Sequence, residues 1–275
     1  MPAVVLVHGF WHGSWCWSLV AEQLAANGIP SVAVDLDGHG LKSRSPASRW
    51  RRPFDPAVFA AEPSGTSAIT ASSAASTLIK QIRLIGGGEP CVVVAHSMGG
   101  TVATAAAELE PSLFAHLMYV CAFAPVKGAA SEYSACPENE GGGAESLLAA
   151  DPLVVAAARL DTGDPGRHAA IREKFYGDVD EVTAKAAISL LGSDGPLGIP
   201  TEIFAVTADH YGNIPHSYVV CTRDRVVPVA LQRRFVADID AVSASPTTVI
   251  ELDSSHSPFL SQPAALAAVI TEACR

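Results

Sequence analysis

Six short runs of β-branched and apolar residues, separated by alanine-rich stretches of helical character, leave few architectures open to this chain. The runs are Val4–Val7, Ser31–Asp35, Cys91–Ala95, His116–Cys121, Ser217–Thr222 and Thr247–Leu252. Most are apolar throughout instead of alternating, as expected of strands covered on both faces. Helices are expected over Ser14–Asn27, closed by Gly28, and over Ser67–Ile85, closed by Gly86–Gly88. Others are expected over Gly99–Glu110, Val229–Ala237 and Pro263–Cys274. The pattern predicts an α/β fold, a mainly parallel central sheet with helices on both faces. Right-handed crossovers then gather the C-terminal strand ends, and the loops after them, along one edge.

Two stretches break this rhythm. Residues 44–66 carry four prolines and the close cluster Arg49, Arg51 and Arg52, and read as a long irregular loop over the sheet edge. Residues 123–215 hold several helical fragments, the Gly-rich Glu140–Gly143 and Gly/Pro punctuation at Gly192–Pro200. The expected division is a core of residues 1–122 and 216–275 with an inserted, mostly helical cap over 123–215.

Composition narrows the function classes. The 275 residues are 49% hydrophobic and 17% charged, ample for a buried core and too apolar for a disordered chain. No apolar run reaches about 18 residues, so no membrane span is expected. An apolar run begins by Ala3, which leaves no room for a signal peptide, and residence in the cytoplasm is the expectation. A net charge of −10 repels phosphate backbones and anionic lipid, which disfavours nucleic-acid or membrane partners. Six scattered cysteines form no CxxC pair and no cluster at metal-ligand spacing. Neither a metal nor an organic cofactor is implied.

The strongest chemical signal is Cys91-Val-Val-Val-Ala-His-Ser97-Met-Gly-Gly100. An apolar strand runs into a serine flanked by small residues and then into a helix, the arrangement of a nucleophile elbow. Ala95 replaces the usual first glycine, and Gly99 supplies the second. A helix N-cap serine is the plain alternative, which the strand-turn-helix setting weakens. A serine hydroxyl needs a base and a site for the developing oxyanion. The first strand ends in Val7-His8-Gly9-Phe10-Trp11-His12-Gly13, and the backbone N–H groups of Phe10 and Met98 are the expected oxyanion donors. His8 reads as a structural hydrogen-bonding residue beneath that loop.

His256 follows the last strand run in Asp253-Ser-Ser-His256-Ser-Pro258 and is the candidate base, with His210 and His216 as rivals on the wrong side of a strand. Asp224 lies two residues past the run Ser217–Thr222 and is the candidate acid. Asp253 is its runner-up, while Asp35 and Asp37 read as structural. The chain order Ser, acid, His supports the assignment Ser97, Asp224, His256.

With these motifs in hand, the chain resembles α/β-hydrolases of the plant methyl-esterase and hydroxynitrile-lyase group and their bacterial esterase relatives. The similarity is densest in Val5–Trp17, in Ala95-His-Ser-Met-Gly-Gly100, and in Tyr218–Pro228 with Gln232. The resemblance implies Ser97, Asp224 and His256 as a triad, with Phe10 and Met98 as oxyanion-hole amides. Hydroxynitrile lyases similar to this chain carry threonine where Gly9 stands and lysine where Ser257 stands, and both departures favour an esterase. Phe10 replaces a smaller residue usual at its position.

The activity expected is therefore a serine carboxylic-ester hydrolase acting on a small apolar or aromatic ester or lactone. Phe10, Trp11, Phe123 and Tyr133 are expected to contact the substrate, although Tyr133, Phe123, Phe175 and Tyr176 could equally pack the cap on the core. Two alternatives stand: a lyase, cyclase or dehydratase acting on a polyketide-like substrate, and a small-molecule receptor on the same scaffold. The expected partner is a small-molecule substrate, and a homodimer is left open.

Overall fold

The computed structural model describes residues 1–275. Its strands, in chain order, are β1 (Val4–Val7), β2 (Ser31–Val34), β3 (Cys91–His96), β4 (Phe114–Val120), β5 (Lys127–Gly128), β6 (Ala157–Arg159), β7 (Asp194–Pro196), β8 (Phe204–Ala205), β9 (His216–Cys221) and β10 (Thr248–Leu252). Six of them form a wholly parallel sheet in the order β10-β9-β4-β3-β1-β2. All six apolar runs in the sequence are its strands.

The continuous apolar runs are explained by two cores. Val5, Val7, Val93 and Ala95 face the helices Ala71–Gly86 and Gly99–Leu109, while Val4, Leu6, Val92 and Val94 face Ser18–Ala26 and Pro263–Ala273. A strand's two-residue side-chain period thus feeds one core from its odd positions and the other from its even ones. The sheet's outer strands are less buried: Val32 and Val249 are exposed on β2 and β10.

Helix ends follow local chemistry. The helix expected from Ser67 starts at Ala71, because Thr70 and Ser73 form a reciprocal capping box. It ends at Gly87, whose φ of 62° suits glycine. The stretch expected to be one helix from Ser14 opens as a 3-10 turn over Ser14–Trp17 before Ser18–Ala26. Residues 44–66 are more regular than their prolines suggest. They contain a 3-10 turn at Ala47–Trp50 and the helix Pro56–Ala61, with Asp55 capping it and Pro56 in its first turn.

Between β4 and β9 the chain makes short helices at Pro152–Val155, His168–Phe175, Glu181–Leu190 and Gly198–Thr201. It also makes two antiparallel ribbons, β5 with β8 and β6 with β7, which the sequence did not signal. A fully buried ion pair braces the second ribbon: Arg159 Nη2 lies 2.7 Å from Asp194 Oδ2, and Nη1 donates to Phe59 O and Glu62 O at 2.6 Å. No helix is long and apolar enough to cross a membrane.

The strand order positions the site. From β1 the chain steps outward to β2, then returns to lay β3 on the other side of β1. Val7 pairs with Ala95, so the loops leaving β1 and β3 diverge from adjacent strand ends. Such a switch point opens a crevice at the carboxyl edge of a parallel sheet.

Candidate active site

Ser97 follows β3 directly, with φ of 52°, a left-handed conformation that is costly for a non-glycine residue, on the order of 1–3 kcal/mol. Backbone bonds hold it there. Its N–H donates to Val120 O at 3.3 Å, and its carbonyl accepts from Gly100 and Phe123 N–H at 3.0 Å. The small neighbours are steric requirements: a Cβ on Gly99 would lie 2.2 Å from His8 O, and one on Gly100 2.4 Å from Phe123 O. Strand and helix therefore approach closely enough to lift the hydroxyl into the crevice.

Three distant residues converge there. His256 Nε2 lies 3.0 Å from Ser97 Oγ, and His256 Nδ1 lies 2.7 Å from Asp224 Oδ2. A carboxylate only accepts, so Nδ1 carries the proton and Nε2 is free to accept from the serine. Asp224 is aimed by its other oxygen, which accepts Val226 and Val227 N–H at 2.7 and 3.0 Å. All three side chains are buried. Beneath them, His96 Nε2 donates to His256 O at 2.8 Å, and burial holds the His96 ring well below its usual pKa, hence neutral.

The loop after β1 is arranged by two neutral histidines. His8 Nδ1 donates to Gly9 O at 2.7 Å while its Nε2 accepts Leu36 N–H at 3.1 Å. In a trans peptide the N–H opposes the carbonyl, so this bond leaves the Phe10 N–H on the side away from His8. His12 Nδ1 donates to Phe10 O at 2.8 Å, and its Nε2 accepts the Tyr176 hydroxyl at 2.8 Å. Burial pushes both histidines down to about 3, which preserves these tautomers. Neither the Phe10 nor the Met98 amide donates to another protein group, and both residues line the same cavity as Ser97. Gly9 has no room for a side chain, since a Cβ would stand 2.6 Å from Ser97 Cβ.

That cavity measures about 250 Å³. Phe10, Trp11 and Val226 line it from outside the 123–215 segment, and Phe123, Ala144, Leu148, Pro152, Leu197 and Pro200 from within it. Glu145 is the one charged side chain on its wall, in an exposed position. Trp11 also ties the two parts together: Nε1 donates to Ala158 O at 2.8 Å, and its carbonyl accepts Gly192 N–H at 2.7 Å.

Of the four side chains expected at the substrate, Phe10, Trp11 and Phe123 line the cavity and Tyr133 does not. Tyr133 packs on Phe235, donates to Asp238 Oδ2 at 2.9 Å and faces a separate cleft beside Lys127 and Arg234. Phe175 and Tyr176 are buried against Trp11 and His12, packing the segment onto the β1 loop. Among the alternatives, His210 bonds Glu108 O at the surface and His216 opens β9 at its N-terminal end. Asp253 is exposed and pairs with Arg223, whereas Asp35 accepts Ser14 and Leu41 N–H. The lining residues of 139–201 were not identified from sequence, because no periodic or motif signal marks them. His96, Cys121 and His256 bring potential metal ligands within 4.8 Å of one another. Both ring nitrogens of His256, however, are already engaged by Ser97 and Asp224.

A parallel sheet bearing a strained serine at its switch point, with a histidine and an aspartate delivered from later strand ends, defines the α/β-hydrolase class. The model of the alpha/beta hydrolase family matches residues 4–269, and the chain belongs to that family. Plant methylesterases are among its relatives. Methylesterase 7 of Arabidopsis thaliana is 29% identical over 285 residues, spanning 98% of this chain and 94% of its own. A pyrethroid hydrolase of Sphingobium wenxiniae is 26% identical over 276 residues, spanning 98% and 86%. Among solved structures, polyneuridine aldehyde esterase superposes with a TM-score of 0.72 over the full length of both chains at 20% identity, a likeness of fold.

Proposed function

We propose that this protein is a serine carboxylic-ester hydrolase working through an acyl-enzyme. The observation that carries the reading is the hydrogen-bonded row Ser97–His256–Asp224, beside two amide N–H groups with no partner in the protein. In this mechanism His256 Nε2 takes the hydroxyl proton as Ser97 Oγ attacks the acyl carbon. The carbonyl oxygen becomes an oxyanion that accepts the Phe10 and Met98 N–H bonds, each donor worth about 10²–10³ in rate. His256 then protonates the departing alcohol, and a water deprotonated by the same imidazole releases the acid and restores Ser97. Asp224 holds the ring and stabilises its cationic form.

The walls of the cavity support a substrate class. A largely apolar cavity of about 250 Å³, residues 123–215 serving as its cap, suits a small apolar or aromatic ester or lactone. Glu145 at its edge disfavours substrates bearing a second carboxylate there. Esterase chemistry also agrees with the relatives' names, methylesterase and pyrethroid hydrolase. The position following His256 holds Ser257, with no cation to receive a cyanide leaving group. Six free cysteines, five of them buried, suit a reducing compartment such as the cytoplasm.

Fluorophosphonate labelling followed by mass spectrometry tests the reading. The label is expected on Ser97 and is expected to be lost in His256→Ala. p-Nitrophenyl acetate turnover should show a burst and vanish in Ser97→Ala, and an ester panel should rank neutral acyl groups above carboxylate-bearing ones. Tight ligand binding without turnover would point instead to a receptor.

A further inference from the structure

Asp178 sits in the turn between the helices His168–Phe175 and Glu181–Leu190, and its side chain is only 9% exposed. Its carboxylate reaches out of its own segment. Oδ2 accepts the Ser255 N–H at 3.1 Å, and Oδ1 accepts the Ser255 hydroxyl. Oδ2 also stands 3.6 Å from the Arg223 guanidinium. Ser255 immediately precedes His256, and Arg223 immediately precedes Asp224. The Arg223 N–H donates to Ser254 O at 3.0 Å, so the two loops are stitched to one another as well. Burial pushes the Asp178 carboxyl up, but the bonds from Ser255 outweigh it and hold the group below its usual range, therefore ionised near neutrality.

We propose that Asp178 is a positioning residue: through Ser255 and Arg223 it ties the 123–215 segment to the loops carrying His256 and Asp224, and so keeps the imidazole on line with Ser97. The proposal rests on the serine-hydrolase reading above. Asp178 is absent from the wall of the Ser97 cavity, so it acts on alignment and not on substrate contacts. An error of about 1 Å in such a site costs about 10² in rate. An amide at this position keeps the volume but turns one of its two acceptors into a donor facing the Ser255 donors.

The test compares the rate of Ser97 labelling by a fluorophosphonate, together with ester kcat and KM, in wild type, Asp178→Asn, Ser255→Ala and the double variant. Asp178→Asn is expected to lower kcat and the labelling rate together by about 10- to 100-fold with KM within about twofold. Ser255→Ala should repeat the loss, and the double variant should be no worse than the poorer single one, because both cut the same tie. Unchanged labelling in both single variants, losses that multiply, or a rise in KM at constant kcat would each overturn the proposal. If Asp178→Asn fails to fold, Ser255→Ala alone carries the comparison with wild type. Labelling requires the aligned row but no ester hydrolysis. A wild type that labels at Ser97 yet turns over no ester therefore sinks the esterase reading and leaves the labelling rates to decide the role of Asp178.

Discussion

Ser97 holds its left-handed backbone position in a crowded turn, where glycines at 9, 99 and 100 have no room for a side chain. Gly9 shows this most sharply: an added methyl would lie 2.6 Å from Ser97 Cβ and 3.1 Å from Oγ. Gly9→Ala is therefore expected to displace the β1 loop from Ser97 and lower kcat/KM by about 10². Steady-state kinetics check this, and a wild-type rate in that variant would show that the loop gives way freely. At this scale much of the candidate site was legible. Ser97, Asp224 and His256 each sit a few residues past an apolar run, and a parallel sheet sends all such positions to one edge. Tyr133 was not legible, because nothing in a sequence reports which way a half-buried aromatic turns. It turns to Asp238.

Among the elements, the loop from Gly9 to Gly13 does more than its length suggests. It borders Ser97, receives the 123–215 segment through Trp11, and is stiffened by His8 and, from that segment, by Tyr176 through His12. Tyr176→Phe leaves the buried His12 Nε2 without a donor and is expected to lower stability by about 1–3 kcal/mol. Urea unfolding measures this; an unchanged midpoint would mean that the Tyr176–His12 bond contributes nothing net. Helix and strand identities were readable from apolar patterning, as with β3 and the helix Gly99–Leu109. Boundaries and short pieces were less so. The capping box at Thr70 and Ser73 moved one helix start, and ribbon β6–β7 depends on Arg159 meeting an aspartate 35 residues away, a pairing with no local signature.

For the whole molecule, the buried histidines set the response to acid. Burial depresses His8 and His12 to about 3 and His39 to about 4 in the folded state. Unfolded, each would titrate near 6.5. Between those values the unfolded chain binds more protons than the folded one, so stability rises with pH and is lost as pH falls below about 6.5. The slope approaches about 1.4 kcal/mol per pH unit for each histidine in that window. A urea midpoint that drops clearly from pH 7 to pH 5 is expected. A flat profile over that range would mean that these rings titrate normally in the folded protein.

The sequence by itself determined the parallel sheet, the strained serine turn and the identities of the residues that meet there. Strand patterning is local, and a strand followed by a helix can place its connecting loop in few ways. Tertiary structure alone decided the shape of the cavity, the direction taken by Tyr133, and the bridge from Asp178 to the loops of His256 and Asp224. Those features depend on contacts between segments far apart in the chain, where side-chain direction and packing, and not local propensity, set the outcome.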